Sequence, residues 1–578
     1  MGEQKNLFLA IILSIAIIVI FQLLFPQQSV MTPVANNEND QLQPATSIDD
    51  NQITTNEIIK SKEEIIETGQ RISINTPSLQ GSINLRGAVL DDLILLNYRE
   101  SLDKKSKNIT LFAPDGTSNP YYVETGWKQL SNSDKINLPD LETNWRATSE
   151  NLTPDSPVSL IWVNDENVVF KIHFTVDNDY MFNITQEIEN NSQSYIEVFP
   201  YRLIKRINLP DTINFFILHE GLISLLNDEL LEKKYTHLSD DCSSNNAVKK
   251  EFCDQKTSGG WLGFTDKYWM SSLIPNNEES ITVNYRHNNN GRDSYRVGYV
   301  GKIFNIKPSS SLEYTGNLFA GAKVLKILSK YEEQYNIIRF EDAIDWGWFS
   351  FLTKPIFIAI NWFNGIVGNF GIAIVAFTVL MRLILFPLAH TSFKSMAKMK
   401  KLQPEMQRLK ETYPDDRQKM QQELMALYKK EGANPVAGCL PIVVQIPIFF
   451  SLYKVLFVTI EMYHAPFYGW IHDLSAPDPL GILILFGLIP WQVPEWLSII
   501  NIGILPIIMG FTMWLQQKLN PAPTDPTQAK IFAFLPFVFT FILAGFAAGL
   551  VLYWAVNNIL SIAQQWVIQR KILAKKDV

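Results

Sequence analysis

Beyond residue 355 the chain carries runs of apolar residues long enough to cross a lipid bilayer, and no other feature limits so tightly what it can fold into. Residues 365–388, 436–460 and 503–519 are three such runs. A fourth, 530–569, is broken around Gly545 and Gly549 into two spans joined by a tight turn. An α-helix rises about 1.5 Å per residue, so about 20 apolar residues cover the roughly 30 Å of hydrocarbon. LFLAIILSIAIIVIFQLLF at 7–25, polar only at Ser14 and Gln22, makes a sixth span. A cleaved signal peptide also begins this way. The run is longer than a signal core, however, and Phe25-Pro26-Gln27-Gln28 offers no small-residue cleavage site, so residues 1–25 read as an uncleaved anchor.

Residues 480–500, LGILILFGLIPWQVPEWLSII, compete for a seventh span. Pro490, Pro494 and Glu495 in the middle break helical hydrogen bonding and bring a charge to mid-bilayer. Charge gives a second test. The formal net charge is −8, yet residues 391–431 hold 10 Lys/Arg against 6 Asp/Glu, and the tail 570–578 holds 4 against 1. A seventh span would put these two basic regions on opposite sides, against the positive-inside rule. Residues 480–500 therefore read as a re-entrant or interfacial hairpin outside the cytoplasm. Both termini and the 391–431 loop then lie inside, and residues 26–345 lie outside. A basic patch confined to a loop is no footprint for nucleic acid.

The first half is different in texture. Residues 26–70 are rich in Asn, Gln, Ser and Thr, with 8 acidic and 2 basic residues, and read as a flexible tether. From 71 to 335 short alternating runs such as VSLIWVNDENVVFKIHFTV and YIEVFPYRLIKRI, separated by Asn, Asp, Gly and Pro clusters, predict an all-β domain, a large sandwich. Its histidines His173, His219, His237 and His287 are scattered, and no HExxH, phosphate loop or CxxC occurs in it. Cys242 and Cys253 stand 11 apart. In an oxidising compartment they can close a small disulfide loop; the alternative is two unpaired thiols. No metal or cofactor motif is found.

In the second half, Trp346, Trp348 and Phe349 beside Asp345 and Lys354 suit an interfacial helix over 341–353. The succeeding elements are expected as a span over 355–389, a helical hairpin over 391–433, and a second span over 436–460. An external loop over 461–502 follows, then spans over 503–519, 530–546 and 549–569, and a basic tail over 570–578. Arg382 is the only charge in IVAFTVLMRLILFPL, roughly 10 Å inside the helix end. A snorkelling arginine reaching headgroups is one reading. Thr378 one turn away on the same face favours the other, a polar recess. Tyr553, Asn557, Ser561 and Gln564 form a matching stripe at steps of four, four and three, and Gln445 adds a third helix. Polar residues also glue helices together, but three polar faces imply a wet cavity.

The hairpin carries Met399, Leu402, Met406 and Leu409 at helical spacing, then Met420, Leu424 and Leu427 after a turn at Tyr413-Pro414-Asp415-Asp416. Five of the 13 methionines fall between 396 and 425, beside Lys398, Lys400 and Lys401. Flexible methionine surfaces tolerate varied apolar partners. A positive loop lying on anionic lipid is the alternative.

GWFSFLTKPIF, GNFGIAI, Thr378-x-x-x-Arg382 with Pro387 following, SMAKMKKLQPEMQ, NPVAGCLPIVVQIPIFFSLY, WIHDLSAPDP and GLVLYWAVNN stand in the order and spacing of YidC-family insertases. Together they cover about 340–570. The anchor and β domain resemble the Gram-negative branch of that YidC/Oxa/Alb family. The resemblance implies an inner-membrane protein with a periplasmic β-supersandwich, followed by a five-span insertase bundle. It implies a groove open to cytoplasm and lipid but closed to the periplasm, with Arg382 as its positive centre. Thr378, Gln445, Tyr553 and Asn557 would line it. Trp554 stands where relatives commonly have a second tyrosine, which keeps the aromatic surface and loses the hydroxyl acceptor. Lys398, Met399, Lys400, Lys401, Met406 and Met420 would meet clients and the ribosome. The implied partners are newly made membrane proteins, the Sec translocon, the ribosome with signal-recognition components, and lipid; no cofactor or catalytic site is implied. An anion transporter or channel is the rival class. It predicts repeated half-bundles, and 355–460 and 500–569 are not alike. A sugar-active or binding protein working through residues 71–335 is a second rival, for which five further spans are excessive.

Overall fold

A computed structural model describes residues 59–574 except 131–134, 214–217, 244–250, 290, 415, 434–439, 492, 495–496, 498–499 and 521–525. The expected anchor over 1–25 and most of the tether lie outside the described residues. The end of the tether is not extended chain: Lys62–Thr68 is a short helix, α1, started by a capping box between Ser61 and Glu64.

Alternation builds the β domain. Val168–Val176 and Met181–Asn190 bury every second residue, and they pair antiparallel from Phe182 opposite Val176 to Asn190 opposite Val168. Met181–Asn190 pairs on its other side with Ser310–Ala322, Met181 facing Phe319. Among the described residues these strands centre a nine-stranded sheet. An eleven-stranded sheet is built around Ile196–Ile207, which lies between Tyr121–Lys128 and Ser294–Val300. Phe170, Ile172 and Phe174 from one sheet and Trp127, Ile204 and Val123 from the other fill the core. Arg202 also lies between the sheets, fully buried. Its Nε donates to Gln186 Oε1 at 3.1 Å and its Nη2 to the Ile184 carbonyl at 2.6 Å. Gln186 in turn donates to the Gly126 carbonyl at 2.7 Å. Helix α2 (Tyr235–Asp241) runs into Cys242, which is disulfide-bonded to Cys253 with 5.6 Å between Cα atoms. Helix α3 (Leu325–Gln334) follows the last strand.

The helical half departs from the expected element limits at two places. Residues 341–353 are not one helix: Phe340–Ala343 is a single 3₁₀ turn, and α4 runs over Ser350–Val367. Asp345 and Trp346 are not helical, their side chains bonded to Lys454 and to the Glu341 carbonyl, and Gly347 has φ +69°, which no helix accommodates. Nor is 355–389 one span. Gly368 takes φ +67° and stops α4; Asn369 then caps α5 (Phe370–Ile384) by accepting the Ile372 N–H at 3.1 Å. At Leu385 the chain bends by 67° into α6 (Phe386–Thr412), with Pro387 in its first turn. Proline lacks the N–H that would continue the preceding helix and disfavours helical geometry just before it.

The hairpin therefore begins at 386, and α6 is answered by α7 (Arg417–Glu431). Then come α8 (Leu440–Val458), α9 (Ile504–Leu519), α10 (Pro526–Leu543) and α11 (Ala548–Ala574). Among the described residues no single helix is long and apolar enough to cross a membrane, while the bent pair α5–α6 together is. Within 480–500 the described residues include a 3₁₀ piece, Ile482–Gly487, in which Leu485 and Phe486 are left-handed. Its ends are drawn together by a bridge from Gly481 to Gly503, and Leu488 is 83% exposed.

Candidate functional site

Helix α5 puts Thr378 and Arg382 on one face, four residues apart. Helix α11 answers with Asn557: the Arg382 Nε donates to Asn557 Oδ1 at 2.9 Å, and Nη2 to the Asn557 carbonyl at 3.2 Å. One turn on, Ser561 Oγ donates to that same carbonyl at 2.7 Å. Gln564 Nε2 reaches the Arg382 carbonyl at 3.4 Å, leaving its own Oε1 buried without a partner. Every described polar partner of the Arg382 guanidinium is thus a neutral group on one helix. Its charge is oriented but not cancelled, and a half-buried uncancelled cation attracts anions strongly.

Thr378 is buried and donates to the Ile374 carbonyl at 2.6 Å, so it belongs to the same face without touching Arg382. From α8, Gln445 donates its amide to the Tyr553 hydroxyl. Trp554, next on α11, is an aromatic wall: its ring meets Phe449 edge-on at 5.0 Å and stacks on Phe539 at 5.7 Å. Its Nε1 is buried without a partner, so the indole is used here as surface alone. Helix α11 thus bonds both Arg382 of α5 and Gln445 of α8, polar groups expected to line one recess.

The hairpin residues are not brought to this recess, and several are committed elsewhere. Leu402, Met406 and Ala433 form a small core with Met399, Leu424, Leu427 and Tyr428. Met399 and Met406 therefore pack the two hairpin helices together and do not form an open methionine surface, because the apolar stripes of α6 and α7 face each other. Met425, on the outside, is 62% exposed. Lys398 donates to the carbonyls of Glu431 and Gly432 at 3.3 and 3.2 Å, capping the C-terminus of α7. Lys400 and Lys401, with Ala397 and Gln569, line a cleft of about 180 Å³ between the root of the hairpin and α11. Met420 is half-buried on α7.

Two sets of polar residues escaped the sequence reading. Helix α11 has a second polar stripe facing α9. Asn558 donates to Thr512 Oγ1 at 3.3 Å, Gln565 to Asn520 Oδ1 at 3.0 Å, and Gln569 to the Leu519 carbonyl at 3.1 Å. Steps of seven and four between 558, 565 and 569 were the available signal. The other is Lys454, buried on α8 and ion-paired with Asp345 at 2.6 Å. Beyond the end of α8, burial pushes the Glu461 carboxyl up to about 7, and inside the β domain burial pulls the Lys323 ammonium down to about 8. Among the described residues no group of three or more His, Cys, Asp or Glu side chains is placed to hold a metal ion.

Comparison with known proteins covers nearly the whole chain. Residues 71–359 match the family model described as the YidC periplasmic domain, and residues 362–576 match the one described as 60Kd inner membrane protein. The chain is 44% identical to the membrane protein insertase YidC of Granulibacter bethesdensis over 98% of both chains. It is 46% identical to the Methylorubrum extorquens protein of the same name over 88% of this chain and 83% of the relative. With the Rickettsia rickettsii protein of that name it shares 45% identity over 98% and 99%.

Proposed function

Because the chain belongs to the 60Kd inner membrane protein family, the YidC membrane protein insertases, we propose that it inserts clients through the recess centred on Arg382. The protein is a membrane protein insertase of the inner membrane, not a catalytic enzyme, and its clients are membrane proteins. Kinship with named insertases gives the rival transporter reading no support.

The observation that carries the proposal is the pairing of Arg382 with neutral groups of a single residue, Asn557. Such a site offers a client's acidic or polar end a hydrated positive station part-way across the membrane, lowering the barrier without hydrolysis. A client helix of some 15 Leu/Ile-like residues gains roughly 5–9 kcal/mol on insertion, and one central Asp costs about 3. Partitioning then drives short tails across; long or many-charged tails need a motor, a role that fits the Sec translocon. Gln445, Tyr553 and Asn557 supply hydrogen-bonding groups along the path, and Thr378 and Trp554 shape its wall. Lys400, Lys401, Met420 and the exposed Met425 form the hairpin surface for clients and the ribosome with its signal-recognition components. Six spans, with both termini and the hairpin in the cytoplasm and 26–345 in the periplasm, complete this reading. The 480–500 segment rests at the outer interface.

A photo-crosslinker placed at Met381 or Gln445 is expected to capture the transmembrane segment of a ribosome-bound short membrane protein. No client adduct at either position overturns the groove. Uptake of a labelled anion by proteoliposomes, lost on Arg382→Met, would establish the transporter instead.

A further inference from the structure

Lys454 lies inside the apolar run of α8, one turn from its end, where a charge is costly unless it is met. It is met by Asp345: Nζ and Oδ2 are 2.6 Å apart, with side chains only 10% and 14% exposed. The same Oδ2 accepts the backbone N–H of His219 at 2.9 Å, just ahead of the strand Gly221–Leu226 in the nine-stranded sheet. Gly347 leaves room for this pair, since a Cβ there would stand 3.3 Å from Lys454 Cε and its φ of +69° suits glycine.

The segment around Asp345 is itself stitched to its surroundings. Trp346 Nε1 donates to the Glu341 carbonyl at 3.1 Å, and the Glu341 carboxylate bonds both Ser329 of α3 and Lys354 of α4. Further contacts hold the same end of α8. The Lys267 ammonium lies 3.8 Å from the Phe457 ring centroid, and Glu461 accepts the Leu325 N–H at 3.4 Å. Tyr463 donates to the Arg99 carbonyl at 2.7 Å. The β domain therefore grips α8 through polar contacts that have one geometry.

Nine residues before Lys454 on the same helix stands Gln445, bonded to Tyr553. Nine residues are about two and a half turns and roughly 13 Å, so the two side chains leave α8 on opposite faces. We propose that the Asp345–Lys454 ion pair is a positioning latch, by which the β-sandwich fixes the height and rotation of α8 and so keeps Gln445 on Tyr553. A buried ion pair contributes little net stability compared with an apolar pair, but it enforces one register, because any other leaves a buried charge alone. A slip of one residue along α8 rotates its faces by about 100° and takes Gln445 off its partner. The latch is independent of what passes through the groove; only its consequence for insertion rests on the proposed function.

The test uses the full chain in membrane vesicles, carrying Cys439→Ala with Gln445→Cys and Tyr553→Cys, and follows the rate at which the two introduced thiols are joined by a mild oxidant. Asp345→Asn, which preserves shape, is expected to slow joining at least tenfold, as is Lys454→Met. Lys454→Arg, which retains the charge, is expected to restore the parental rate within about threefold. Parental rates in Asp345→Asn overturn the latch, and so does a rate in Lys454→Arg as slow as in Lys454→Met. Asp345→Asn decides alone if Lys454→Met does not accumulate. Client insertion measured on Asp345→Asn with Gln445 and Tyr553 intact separates the two claims: slowed joining in the thiol pair with undiminished insertion here upholds the latch and overturns a part for the Gln445–Tyr553 contact in insertion.

Discussion

Arg202 in the β-sandwich and Arg382 in the helical bundle are both withdrawn from bulk water, yet their surroundings treat them differently. Arg202 is enclosed: Gln186 and the Ile184 carbonyl hold it, and the Tyr314 ring lies 5.8 Å from its guanidinium carbon. Gly316 comes so close that a Cβ there would sit 2.6 Å from Arg202 Nη1. Arg382 is only half-buried and its guanidinium is held, among the described residues, by Asn557 alone, whereas Arg202 is fully buried, its own Nη1 left without a partner. The first arrangement fixes one sheet against the other. The second holds a cation in place while leaving it half-exposed, the arrangement that the proposed role in meeting an acidic client end calls for.

The largest expected effect breaks the comparison most directly. Arg202→Met strips Gln186, the Ile184 carbonyl and the Tyr314 carbonyl, 3.4 Å from Nη2, of their buried partner and is expected to cost the β domain about 3–5 kcal/mol, read as a lower denaturation midpoint. Arg382→Met, by contrast, is expected to leave that midpoint within about 0.5 kcal/mol while client crosslinking falls tenfold or more, the effect of losing about 1.4 kcal/mol of attraction. Equal destabilisation by the two changes would mean that Arg382 is structural as well.

Lys323 sharpens the sandwich side. It is buried, donates to Thr265 Oγ1 at 2.8 Å, and burial pulls it down to about 8. Between pH 8 and about 10.4 the native ammonium has released its proton while the unfolded one retains it, so the unfolded state binds more protons and stability rises with pH. The gain is about 3 kcal/mol across that window and is lost as pH falls from about 10.4 to 8. Lys323→Met is expected to flatten this part of the stability profile; an unchanged slope removes Lys323 from the account.

Smaller effects are expected on the bundle side. Tyr553→Phe deprives Gln445 of its acceptor and is expected to cost about 1 kcal/mol, with a modest fall in client crosslinking at Met381. Arg382→Lys preserves the charge and gives up the two-point hold on Asn557, and it is expected to retain insertion within about threefold, since a point charge suffices to attract an acidic client end. A loss as large as that in Arg382→Met would mean that the fork, and not the charge, is what clients meet.

Much of the candidate site was legible because its parts are periodic. Thr378 and Arg382 at a step of four, and Tyr553, Asn557 and Ser561 at the same step, declare a shared face to any reader of helical spacing. Spacing did not say which of these residues would pair; in the structure Arg382 meets Asn557 and Gln445 meets Tyr553. The hairpin was legible as two amphipathic helices, but periodicity says that a face is apolar without saying what covers it. Met399 and Met406 turned out to cover Leu424 and Leu427. The breaks at Gly347 and Leu385 were hidden for a related reason: hydropathy runs smoothly through both, and single backbone angles and Pro387 decide them.

Composition and spacing by themselves determined a two-part chain, a β-sandwich ahead of an apolar helical bundle with cations such as Arg382 set among apolar residues. Those properties follow from local periodicity and from the cost of burying charge, both of which act residue by residue. Tertiary structure alone decided which polar groups close on each other. Asp345 and Lys454 stand more than a hundred positions apart, and no local rule foretells an ion pair between a turn and the far end of a later helix. Whether a cation is closed over or left half-exposed depends on neighbours brought by the fold, and this distinguishes fully buried Arg202 from half-buried Arg382, since both are held by neutral groups.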